Sequence, residues 1–166
     1  MSSTVPYKSD GVLGTSVFPG FGGTQLAKGT ITSAQVLDLK DTPKTLVAAP
    51  GSGKALVFKE AHLFLDYNSA VYVIGTASTD DMEIRYTNAS GQEVASIEMT
   101  GFVDQTNDEH VIVKPASAAV ATPEAIVPVE NAALVLTVSN ADLTTGDSPI
   151  YFEVEYDVIE FAIDGN

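Results

Sequence analysis

The sequence predicts an all-β protein, a single antiparallel β-sandwich or jelly roll of about eight short strands behind an extended N-terminal arm. Three observations predict it. Apolar and polar residues alternate with a period of two over several segments. Clusters of Gly, Pro, Asn and Asp punctuate them at short intervals, and only one stretch shows helical spacing. The 166 residues fit one domain able to bury roughly two-thirds of its unfolded surface. The expected division is an arm over 1–29 and a sandwich over 30–166.

From Ser9 to Gly29 the chain holds six glycines, one proline and scattered apolar residues (Val12, Leu13, Val17, Phe18, Phe21) without a sustained period. A solvated tail is one reading of such a terminus. The preferred one is an arm that orders against a neighbouring subunit or another protein, because a solvated tail has little use for two Phe and a Leu. Ser33 to Leu39 has helix-like spacing for one or two turns, with Ser33 as the cap.

Strands are expected at Thr45–Ala49, Lys54–Tyr67, Ala70–Thr76, around Met82–Tyr86, and at Glu93–Met99, Glu109–Lys114, Asn131–Val138 and Ile150–Val158. The last gives the clearest alternation. Ile150, Phe152, Val154, Tyr156 and Val158 share one side, and Tyr151, Glu153, Glu155 and Asp157 the other, as in a half-buried strand with an acidic outer face. Parity flips at Ile159, which predicts a bulge or a change of environment. Lys54–Tyr67 and Asn131–Val138 are apolar on both sides. Either loops cover their second faces, or another copy of the chain does.

Charge is divided unevenly. Residues 1–60 carry six Lys and four acids, a net of +2; residues 61–166 carry one Arg, one Lys and eighteen acids, a net of −16. An acidic body behind a near-neutral N-terminal stretch suggests one region that docks and another that stays in water. The composition, 18% charged and 45% apolar, is that of a globular chain. No Cys is present, which excludes disulfides and thiolate metal sites. No apolar run approaches the roughly 18 residues of a membrane span, and Met1-Ser2-Ser3-Thr4 lacks the layout of a secretory signal. So strong an acidic excess repels nucleic-acid phosphates, so neither nucleic acid nor membrane is an expected partner.

Motifs for chemistry are weak. Ala49-Pro-Gly-Ser-Gly-Lys54 resembles a phosphate loop, but the required Gly and Ser/Thr fall on Ala48 and Ala55, and a strand follows instead of a helix. Asp80/Asp81/Glu83, Asp104 with Asn107-Asp108-Glu109, and Asn140/Asp142/Asp147 are oxygen-rich clusters that lack a spaced calcium loop. The third, with Gly146 to bend it, would be the first place to look for a cation. His62 and His110 are the only histidines, too few for a histidine-based zinc site. No Ser nucleophile elbow is present, and without Trp a sugar platform is poorly supplied. The chain is read as a non-enzyme without cofactor or metal.

Three stretches carry a resemblance. They are Ile31-Thr-Ser-Ala-Gln-Val-Leu37 with Thr42-Pro-Lys-Thr-Leu-Val-Ala-Ala-Pro-Gly51; Leu63-Phe-Leu-Asp-Tyr67; and Asn131 to Asp147, followed by the strand Ile150–Ile159. Over roughly residues 30–160 these are similar to tailed-phage capsid decoration (cement) proteins built on a jelly-roll-like sandwich. The motifs are structural and transfer no active-site residues. The resemblance implies a homotrimer on the outer surface of an icosahedral head, with the major capsid protein as partner. The docking residues expected are Val17, Phe18, Phe21, Leu26, Lys28, Lys40 and Lys44. The oligomer contact is expected at Phe58, His62 and Phe64. A head or tail fibre module that binds a surface glycan is the alternative, with Tyr67, Tyr72 or Tyr151 exposed in loops as its sign. A hydrolase with paired carboxylates is the third class.

Overall fold

The computed structural model describes residues 23–75, 80–115 and 126–161. Eight strands form two four-stranded antiparallel sheets packed face to face. The first sheet has the order β1 (Gln25–Ile31), β8 (Ile150–Glu160), β3 (Lys54–Leu65), β6 (Glu109–Val113). The second has the order β2 (Lys44–Val47), β7 (Leu134–Val138), β4 (Asp81–Tyr86), β5 (Glu93–Glu98). Successive strands switch sheets everywhere except between β4 and β5, which is the strand order of a jelly roll.

The core lies between the sheets. Ile31, Leu56, Phe58, Ala61, Leu63, Leu65, Phe152 and Val154 come from the first, and Met82, Ile84, Tyr86, Leu134, Leu136 and Val138 from the second. Tyr86 crosses the core and donates its hydroxyl to the Leu56 carbonyl at 2.6 Å. Gly29 has a packing reason: a Cβ there would sit 2.6 Å from the Phe152 ring. The edge strand must be bare at that position so that Phe152 can lie over it.

The eight strands are not the eight expected. Gln25–Gly29, assigned to the arm, belongs to β1 and pairs with β8 from Gln25↔Tyr156 to Ile31↔Ile150. Residues 1–22 of the expected arm lie outside the described residues. Ala70–Thr76 is not a strand. Its described part makes a single bridge, Val73↔Thr144, and is held by loop contacts. Tyr72 is buried and bonds the Ser148 carbonyl, while Asp147 accepts from the Ser69 and Ala70 amides. Gly146 has φ +90°, and a Cβ there would run into the Tyr72 ring, so the turn and the buried tyrosine depend on each other. The helix α1 spans Ser33–Leu37, but its cap is Thr32, in a reciprocal capping box with Gln35.

The two-sided apolar pattern of β3 comes from a bulge. Pairing passes from Phe58↔Tyr156 to Glu60↔Glu155, leaving Lys59 extra. One added residue reverses which parity faces inward. Leu56 and Phe58 point into the core before it, and Ala61, Leu63 and Leu65 after it. The irregularity expected at Ile159 therefore sits on β3, and β8 keeps its register through Glu160. On β7 the second apolar face is covered by the chain itself. Val135 and Thr137 are buried, and Thr137 donates to the Leu39 carbonyl at 3.1 Å, just after α1.

Candidate functional site: an aromatic face on the first sheet

Register builds the site. Past the bulge, the outward positions of the four strands align in three rows. Thr30, Tyr151, Phe64 and His110 form the first, and Lys28, Glu153, His62 and Ile112 the second. Leu26, Glu155 and Glu60 form the third, with Lys114 reaching Glu60 at 3.6 Å. A shallow groove of about 630 Å³ runs across the strands, lined among others by Thr30, His62, Phe64, His110 and Tyr151. The apolar residues of this face, in the groove and beside it, are open to solvent: Phe64 is 38% exposed, Tyr151 45%, Leu26 46% and Ile112 54%. Phe64 and Tyr151 lie with ring centroids 6.5 Å apart.

The histidines stack at 5.2 Å between centroids, inclined by 18°. His62 Nδ1 lies 3.1 Å from His110 Nε2, and His62 Nε2 lies 2.9 Å from Glu60 Oε1. In the neutral pair, hydrogen-bond logic gives His62 its proton on Nε2, donated to Glu60. His62 Nδ1 then accepts from His110 Nε2–H. The chain of contacts fixes both ring planes without burying them.

Charges on this face are largely paired within it. Lys28 meets Glu153 at 2.5 Å, Lys59 meets Asp157 at 2.9 Å, and Thr24 also donates to Asp157 at 3.0 Å. Three lysines face four carboxylates (Glu60, Glu153, Glu155, Asp157), a local net of −1 on a chain of −14.

Of the expected oligomer residues, His62 and Phe64 stand on this face. Phe58 does not: it is 4% exposed and part of the core, because the bulge separates its parity from theirs. Sequence reasoning did not group His110, Ile112, Glu153 or Tyr151 (named only for a glycan) with them; these reach the same face through cross-strand register. Of the docking residues, Val17, Phe18 and Phe21 lie outside the described residues. Leu26 and Lys28 are on β1, on the outer face of the first sheet, whereas Lys40 follows α1 and Lys44 opens β2, which packs beside β1. Lys40 bonds the Ser139 carbonyl through Nζ and Asp142 through its amide, and Lys44 reaches Gln35 at 3.2 Å.

The acidic clusters serve the fold. Asp142 takes the Lys40 amide, whereas Asp147 takes Asn68, Ser69 and Ala70, so Asn140, Asp142 and Asp147 do not share a ligand. The Ser69 hydroxyl and then the Ala70 and Ser69 amides hold the Asp147 carboxyl below its usual range. Asp108 takes the Tyr67 amide and Asp104 the Gly101 amide. Among the described residues, no three His, Cys, Asp or Glu side chains are placed to hold a metal. Of the tyrosines named for a glycan, Tyr72 is buried, Tyr67 bonds the Ser69 carbonyl, and Tyr151 is exposed on the sheet instead of a loop.

No protein-family description matches this chain, no curated protein matches it, and no solved structure matches it.

Proposed function

We propose that this chain is a non-enzymatic structural protein that decorates and stabilises an icosahedral phage capsid, clamping neighbouring major capsid subunits as a homotrimer on the outer surface. One observation carries the reading. A strongly acidic body bears one near-neutral aromatic face, a division suited to meeting protein on one side and water elsewhere. Leu26 and Lys28 on β1, beside Lys44 on β2, support docking at this edge of the sandwich. A binder that prefers the assembled lattice to free subunits stabilises the lattice by mass action.

The test is occupancy on emptied capsids that lack this protein. Full-length chain binds them saturably. Deleting residues 1–22, which leaves β1 whole, weakens binding while the sandwich remains folded. Absence of binding by the full-length chain would overturn the proposal.

The groove favours a second reading, a glycan-binding module. It offers an exposed Tyr and Phe with His, Glu and Lys around them, and its volume falls within the roughly 300–1,000 Å³ of ligand sites. Saccharide affinity abolished by Tyr151→Ala, together with no capsid binding, would select it.

A further inference from the structure

We infer that the outer face of the first sheet is the seam along which copies of this chain meet, centred on Phe64, Tyr151, His62, His110 and Ile112. This deepens the proposed assembly role and rests on it.

Charge selects the occupant. Two chains of −14 repel each other over most of their surfaces. On this face the lysines and carboxylates offset one another within each copy, through Lys28–Glu153, Lys59–Asp157 and Lys114–Glu60. A second equally acidic molecule meets here a net of only −1, with Glu155 the one carboxylate outside these three pairs. A polybasic partner would find its counter-charges in the loops and not here.

Area sets the strength. Four strands span about 14 Å, and their lengths, from five residues in β6 to twelve in β3, average about 29 Å at the usual strand spacing and rise. That gives a face of about 400 Å² per copy, below the roughly 600 Å² per partner at the lower end of specific interfaces. Association is therefore concentration-dependent, not obligate. The exposed rings supply the anchors, since aromatic residues are the side chains most enriched at interface centres. The His62–His110 stack presents its rings already oriented, which lowers the ordering cost on contact.

The experiment is sedimentation velocity of the full-length chain over a concentration series, read for mass. Wild type shifts from one copy towards two or three as concentration rises. Ile112→Glu puts a new carboxylate on the face at a position 54% exposed, so it folds, and it weakens association by at least about tenfold. Val73→Glu, equally exposed but in a loop away from the face, associates as wild type does. Raising salt strengthens the wild-type association, because it screens repulsion between the acidic bodies. A single-copy mass at every concentration overturns the inference, as does Ile112→Glu behaving as wild type or association that weakens with salt. A monomer that still occupies capsids would sink this seam and leave the decoration role standing. An oligomer that ignores capsids would do the reverse.

Discussion

The two sheets treat their outer faces differently. On the second sheet outward residues of the central strands are sealed by the chain itself: Val135, Thr137 and Glu83 are buried. Thr137 is tied to Leu39, and Glu83 receives the Arg85 guanidinium at 2.5 Å. On the first sheet the corresponding positions of β3 and β8 hold Phe64, His62 and Tyr151, open to water. Both faces border the same core and both belong to strands of similar apolar content. Among the described residues, the segment around α1 covers one sheet and no segment covers the other. That contrast is what supports the proposal that the first sheet meets another molecule.

The largest expected effect separates the two sides of a single strand. Phe58 and Phe64 lie six residues apart on β3, with the Lys59 bulge between them. Phe58→Ala should cost about 3–5 kcal/mol of folding stability, the usual cost of emptying a buried Phe site. Phe64→Ala should cost under about 1 kcal/mol, since its ring is already partly in water, while reducing self-association. Urea unfolding of both variants measures the difference. Equal losses would mean that β3 does not reverse its facing at Lys59.

That bulge also shows where the sequence stops being legible. β8 could be read directly because Ile150 to Val158 alternates without interruption and its acids all fall on one side. β7 could be read as a strand but not as covered, because its cover, Leu39, lies 98 residues away in sequence. β3 could be located but not faced, because a one-residue shift leaves no mark in composition. β1 was invisible as a strand. Gly29 and Lys28 look like linker residues, and the reason for Gly29 is the Phe152 ring on another strand. Two of the five central residues of the candidate face, His62 and Phe64, were legible on an apolar strand. His110, Ile112 and Tyr151 were not, since only the ladder register brings them into the same rows.

The next effect concerns the core that both sheets share. Burial, chiefly, pushes the Tyr72 and Tyr86 hydroxyls up to about 12, against an ordinary value of 10.0. Below pH 10 both groups are neutral folded or unfolded, and their contribution is intact. Between pH 10 and about 12 the unfolded chain releases these protons while the folded chain keeps them. Stability therefore falls as pH rises, by up to about 3 kcal/mol for each tyrosine. Denaturant midpoints measured across that window should decline, and less steeply in Tyr86→Phe. An unchanged slope in that variant would show that Tyr86 is not sealed between the sheets.

The smallest effect returns to the outer faces and asks whether their ion pairs differ as their burial does. Glu83 and Arg85 are 11% and 21% exposed at the side chain, and Glu93 lies 3.6 Å from the same guanidinium. Lys28 and Glu153 are 63% and 39% exposed. Removing one partner of the sheltered pair leaves a partly desolvated charge behind, whereas water replaces the lost partner of the open pair. Glu83→Gln should thus cost about 1–3 kcal/mol, and Lys28→Gln less than about 0.5 kcal/mol. Lys28→Gln should instead register in the association measurement, because it shifts the net charge of the open face from −1 to −2 in every copy. A stability loss for Lys28→Gln as large as that for Glu83→Gln would mean that the first sheet is covered in the folded chain, and the contrast between the two faces would disappear.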